Sequence, residues 1–133
     1  MSNLAEKYAN EPVWAVVGAS NERYKYGNRI YRTIRGAGYK AYAVNHREAK
    51  VEGDPAYAKL SDLPEVPTVV DMVVPPDQAQ SVVEEAKRVG AKAIWFQPGS
   101  EDQKAIRWAK ENGLDVVQDC ILVKHVQNPG GNR

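Results

Sequence analysis

Val13-Trp14-Ala15-Val16-Val17-Gly18-Ala19-Ser20 opens with five apolar residues and stops on a glycine. Three of the five are β-branched valines. A run this short and this continuous suits a strand covered on both faces, as in a parallel sheet. Gly18 then lets the backbone turn sharply where the strand ends. Comparable runs recur at 40–44 (Lys-Ala-Tyr-Ala-Val), 68–74 (Thr-Val-Val-Asp-Met-Val-Val) and 93–96 (Ala-Ile-Trp-Phe), with a weaker one at 114–117.

The segments between these runs are helical in pattern. Residues 28–37 carry Ile30, Tyr31 and Ile34 at helical spacing and stop at Gly36-Ala37-Gly38. Residues 76–90 begin with Pro-Asp and end with Lys87-Arg88 and Gly90, an order that matches the helix dipole at both ends. Residues 101–112 place Ile106 and Ala109 on one face, with Trp108 packed or half exposed. Residues 48–67 hold Gly53, Pro55, Pro64 and Pro67 and predict one short helix after Ser61-Asp62, or turns alone. The alternation predicts an α/β domain: a doubly wound parallel sheet of about five strands with helices on both faces. One domain over 11–127 is expected, with residues 1–10 and 128–133 as frayed ends.

Composition narrows the function classes. The chain has 133 residues, 43% of them hydrophobic, enough for a sizeable single core. Its net charge of +1 argues against a nucleic-acid binder and against a polybasic membrane anchor. Residues 1–10 lack the apolar core of a signal peptide, and no run reaches the roughly 20 apolar residues of a membrane span. Cys120 is the single cysteine, which excludes an internal disulfide and suits a reducing cytoplasm. The charge is uneven. Positions 16–50 hold eight Lys and Arg residues against two acidic ones, so an anionic partner there competes with a solvated helix face at Arg29, Arg32 and Arg35.

In a doubly wound fold, ligands sit beyond the carboxyl ends of the strands. The loop after the first run offers Gly18, Ser20, Lys25 and Gly27 ahead of a helix, the residue types of a phosphate site. Their spacing is neither G-x-G-x-x-G nor a P-loop. After the second run, Asn45-His46-Arg47 stands where an NAD site carries an acidic residue, and fits a phosphorylated ribose better. Val74-Pro75-Pro76 forms a rigid apolar shelf suited to a flat base, or simply starts a helix. Trp95 and Phe96 alternate into the core, leaving Gln97 at the rim of the cleft. No nucleophile elbow, metal-ligand cluster or locally spaced histidine–carboxylate pair is present. Cys120 reads as a partly buried structural thiol, His46 as a solvent-exposed loop residue and His125 as a surface residue near a frayed end.

Together, Gly18-Ala19-Ser20, Lys25-x-Gly27, Gly38-Tyr39-Lys40-x-Tyr42-x-Val44-Asn45, Val70-Asp71-Met72-Val73-Val74, Gly90-Ala91-Lys92-Ala93-Ile94-Trp95-Phe96-Gln97-Pro98-Gly99 and Asp119-Cys120 resemble the small stand-alone CoA-binding proteins. These are similar in fold to the Rossmann-like CoA-binding domain of the succinyl-CoA synthetase alpha subunit. The likeness spans roughly residues 11 to 127. It implies that the Gly18 loop, with Ala19, Ser20, Lys25 and Gly27, meets CoA phosphates. It implies also that Asn45 and the Val74-Pro75 shelf flank the adenosine, and that Gln97, Pro98 and Gly99 lie near the pantetheine path. His46 stands where the family usually has proline, and Pro75-Pro76 departs from the more polar segment of many small relatives. The synthetase's phosphohistidine lies in a second domain, so catalysis does not carry over with the resemblance. The expectation is a CoA or acyl-CoA binder without a complete catalytic site, as a homodimer or with a partner enzyme. The alternatives are an NAD(P)-binding oxidoreductase and an interaction protein with a vestigial cleft.

Overall fold

The computed structural model describes residues 2–9 and 13–120. The elements run α1 (Ser2–Ala9), β1 (Val13–Val17), α2 (Tyr26–Gly36), β2 (Lys40–Val44), β3 (Lys50–Val51), β4 (Asp54–Tyr57), β5 (Val69–Met72), α3 (Ala79–Val89), β6 (Ala93–Phe96), α4 (Gln103–Glu111) and β7 (Asp115–Gln118). Short 3-10 turns lie at Leu60–Asp62 and at Pro76–Gln78, the latter leading into α3. The strands form one sheet in the order β3-β4-β2-β1-β5-β6-β7. Every neighbouring pair is parallel except β3 with β4. The architecture is the doubly wound, Rossmann-like one that the alternation predicts.

Period-two alternation sorts side chains to the two faces. Trp14, Val16, Val69 and Trp95 join Ile30, Tyr31 and Ile34 of α2 in one core cluster. Ala15, Val70, Met72 and Phe96 join α3 and α4 in the other. Trp14 and Trp95 meet across β5 with ring centroids 5.5 Å apart. Trp108 lies half-buried against the second cluster.

Two expectations change. The sheet has seven strands rather than about five, because residues 48–67 contain β3 and β4 as a small antiparallel extension whose β4 pairs parallel to β2. A proline-containing strand of four residues and one of two leave too short a pattern to read. Residues 2–9, expected to fray, form α1: Ala5, Tyr8 and Ala9 are buried, and the Tyr8 hydroxyl donates to Asp115 of β7. Residues 128–133 and His125 lie outside the described residues. Among the described residues, no helix is long and apolar enough to cross a membrane.

The basic excess of positions 16–50 is matched in part by acids beyond that stretch. Arg23 pairs with Glu52 at 3.2 Å and Arg35 pairs with Asp54, while Lys40 reaches Glu65 at 2.8 Å. Arg32 donates to Asn28 Oδ1. The Asn28 amide holds Glu52 below the usual carboxylate range, and the Tyr31 hydroxyl does the same for Asp54. A ligand drawn to this region therefore meets Lys25, Arg47 and Lys59 at the cleft rather than the arginines of α2.

Candidate functional site

The sheet changes direction at β1: the chain leaves it toward β2 on one side and resumes at β5 on the other. The loops after β1 and β5 thus diverge and open a crevice at the carboxyl edge. There lies a cleft of about 530 Å³, bordered by Gly18, Ser20, Lys25, Asn45, Arg47 and Val74 among others. A second arm of about 380 Å³ runs along Pro75, Pro76, Pro98, Gly99 and Ser100. Tyr26, Val73, Val74 and Pro75 border both arms.

Two glycines permit the close approach at the centre. Gly18 has φ +103°, and a Cβ there would overlap the Val73 carbonyl. A Cβ on Gly27 would overlap the Gly18 carbonyl oxygen. The first turn of α2 is therefore packed directly on the loop that leaves β1. Lys25 is the N-cap of α2 and makes no side-chain cap bond. The helix N-terminus, with its partial positive charge, opens on the cleft.

The loops are braced by amides. Asn45 donates to the Ala19 carbonyl at 2.8 Å and accepts from the Arg47 and Glu48 amides at 2.7 and 3.0 Å. Asn28, fully buried, donates to the Ser20 carbonyl and to Glu52. Asn21 donates to Glu48 and to the Lys50 carbonyl and accepts from Glu52 N–H. Ser20 Oγ accepts from Glu22 N–H at 3.0 Å, which leaves its own proton to donate. Lys25 pairs with Glu22 at 3.2 Å, in a pair about half exposed on both sides. Tyr24 and Lys25 hold the Glu22 carboxyl below its ordinary range.

Of the site residues expected from sequence, Gly18, Ser20, Lys25, Gly27, Asn45, Val74 and Pro75 border the main cleft. Val74, Pro75, Pro98 and Gly99 border the second arm. Two expected positions do not reach it. Ala19 is buried and contributes its carbonyl to Asn45. Gln97 is not at the rim: it is fully buried, because its turn of the alternation points to the α2 face beneath Tyr26. Asn45 borders the cleft mainly as a brace between two loops. His46 borders the cleft and is exposed.

The sequence pattern did not single out Asp71 or Tyr26 as site residues. Asp71 sits in the middle of β5 with no exposed surface. One oxygen accepts from Gln97 Nε2 at 2.8 Å and the other has no partner. Burial pushes its carboxyl up to about 8, with the Gln97 bond only partly offsetting. The Tyr26 hydroxyl lies 3.3 Å from Gln97 Oε1 and 2.7 Å from Cys120 Sγ. Burial, then the Cys120 contact, raise the Tyr26 phenol, so it stays neutral. An acid placed in an otherwise apolar strand was the available signal.

A family model described as a CoA binding domain matches residues 12–126 of this sequence. The chain belongs to the CoA-binding domain family. Among curated proteins, an acetate–CoA ligase (ADP-forming) of Archaeoglobus fulgidus is 36% identical over 120 residues, 82% of this chain and 18% of that protein. The chain thus spans less than a fifth of the length of that relative. A hypothetical protein of Pyrococcus horikoshii has the same fold with a TM-score of 0.88 and 31% identity, covering 93% of this chain and 88% of its own. A dinucleotide-forming acetyl-coenzyme A synthetase of Ca. Korarchaeum cryptofilum, in complex with phosphate and ADP, aligns with a TM-score of 0.76 and 29% identity. That alignment covers 90% of this chain and 28% of the synthetase. The CoA-binding domain here therefore matches one part of much longer ligases. Among the described residues, no group of three or more His, Cys, Asp or Glu is placed to hold a metal ion.

Proposed function

We propose that this chain binds coenzyme A or an acyl-CoA in the two-armed cleft and has no complete catalytic site of its own. The observation that carries this reading is the cleft's division: a larger arm under the α2 N-terminus that presents Ser20, Lys25, Asn45 and Arg47, joined at Tyr26 to a smaller arm walled by prolines. CoA has that same division, a charged nucleotide and a slender pantetheine. The diphosphate lies against the first turn of α2, where the Ser20 hydroxyl has a proton to give and backbone amides complete an anion site. Lys25 swings from Glu22 to a phosphate; an exposed pair of this kind costs little to exchange. The adenine lies on Val74 and Pro75, and the pantetheine follows Pro98 and Gly99. Asn45-His46-Arg47 after β2 supplies no carboxylate for the ribose hydroxyls of NAD, which argues against the oxidoreductase alternative. Like the CoA-binding part of the longer ligases, the chain would present the CoA thiol to a partner enzyme in the cytoplasm. An adjoining homodimer subunit is the other candidate for that partner.

Titration calorimetry at moderate salt is expected to show CoA binding at least tenfold tighter than NAD, because two or three charge-assisted contacts favour the extra phosphate. Equal or tighter NAD binding would overturn the assignment. Lys25→Ala is expected to weaken CoA binding by about 1.5–3 kcal/mol, the range for hydrogen bonds to charged groups. The melting temperature should hardly move, since this side chain is half exposed. An unchanged affinity would remove Lys25 from the site.

A further inference from the structure

Cys120, Tyr26, Gln97 and Asp71 form a continuous polar chain from a half-buried thiol to a carboxyl enclosed in the sheet. Satisfying every contact requires one direction of donation. The Cys120 thiol donates to the Tyr26 oxygen, the Tyr26 hydroxyl donates to Gln97 Oε1, and Gln97 Nε2 donates to Asp71 Oδ1. The chain ends at Asp71 Oδ2, buried and without a partner. Toward its other end stands Tyr26, which borders both arms of the cleft.

We infer that Asp71 is a positioning residue: acting through Gln97, its carboxyl fixes the Tyr26 ring between the two arms and makes occupation of the second arm depend on a proton. This rests on the reading of the cleft given above and extends it to regulation.

The surroundings of Asp71 explain why. On β1 it faces Val16 and on β6 it faces Trp95, neither of which titrates. Across from it on α2 are the Tyr26 phenol and, acting on that phenol, the Arg29 guanidinium. Cys120 lies beyond Tyr26, in the segment that follows β7. Among the described residues, no ionic partner offsets the burial of Asp71 itself. The neutral carboxyl tolerates one unpartnered oxygen at moderate cost, whereas a carboxylate there does not. On ionisation the unpartnered oxygen draws the Tyr26 hydroxyl, the next donor along the chain after the Gln97 amide. That move breaks the Tyr26 bond to Gln97 Oε1, and the ring shifts within the shared wall of the arms.

The test has two readouts. First, the Tyr26 ring resonances of the unliganded protein, assigned by their loss in Tyr26→Phe, are followed from pH 6 to pH 9.5. They are expected to titrate in the wild type and stay flat in Asp71→Asn, which keeps the oxygen that accepts from Gln97. Second, affinities for CoA and for adenosine 3′,5′-bisphosphate are compared between pH 7.5 and pH 9, where the phosphates of both ligands are close to fully ionised. CoA, which reaches the second arm, is expected to weaken by about fivefold or more, while the bisphosphate holds within about twofold. Asp71→Asn should remove the difference. Tyr26 resonances that do not respond to Asp71, or an equal pH dependence for both ligands, would overturn the coupling. If neither ligand binds, the cleft assignment fails, and the Tyr26 titration alone decides whether Asp71 governs the ring.

Discussion

Gly27→Ala is expected to destabilise the protein by about 3 kcal/mol, the upper part of the ordinary range for overpacking. It should also lower CoA affinity by tenfold or more. The direction is informative because glycine within a helix normally costs roughly 0.5–1 kcal/mol relative to alanine, so the same change elsewhere would stabilise. At position 27 the added methyl would overlap the Gly18 carbonyl oxygen, which is backbone and cannot rotate away. The first turn of α2 must lift from the loop, and the proposed anion site between them would widen. Gly36, in the same helix, is the internal control: a Cβ there meets nothing within 4 Å. Gly36→Ala should leave binding unchanged and raise stability slightly. Thermal melts and calorimetry on the two variants check the contrast; matching behaviour would show that α2 is not seated on Gly18 as described.

Asp71→Asn has the second large expected effect, a gain in stability that grows with pH. The folded state holds the Asp71 proton up to about pH 8, whereas an unfolded aspartate releases it near 3.8. Between those values the folded state binds more protons, so wild-type stability falls as pH rises and levels off above about 8. Each unit of difference is worth about 1.4 kcal/mol, which puts the whole decline on the order of a few kcal/mol. The amide of Asp71→Asn carries no such proton, and the unfolding free energy of this variant should lack the decline. Denaturant unfolding of both proteins at pH 5, 7 and 9 tests it. Parallel pH profiles would mean that Asp71 is ionised and solvated in the folded state.

The frame of the fold was open to reading because β1, β5 and β6 are short runs covered on both faces, and β2 is a mainly apolar run of similar length, a pattern that survives without knowledge of their neighbours. The β3–β4 extension was not. Lys50-Val51 is too short to show alternation, and Pro55 argues against a strand unless it lies near an edge. Half of α1 is polar, and the spacing of Leu4, Ala5, Tyr8 and Ala9 carries meaning only once β7 is present to receive it. At the site, Gly18, Lys25 and Gly27 could be placed from their positions after a strand and before a helix. Gln97 was misplaced because the rim of the cleft and the buried face differ by a single residue of alternation. Asn45 shows a different limit: sequence marks the loop where an amide is needed but not that the amide is spent on Ala19, Arg47 and Glu48.

The two-residue strand β3 has a consequence for association between molecules. Sheets with long, flat outer strands offer unpaired backbone groups to any passing chain and seed aggregates. Here the boundary strand on that side is Lys50-Val51, followed at once by Glu52 with φ 53° and by Gly53. It is too short and too sharply bent to template a foreign strand, and a lysine stands where such a strand would dock. The turn that follows it holds Glu52 against Arg23 and Asn28. Lengthening this strand with β-branched residues would therefore be expected to remove that protection and let one molecule grow onto the next, edge to edge.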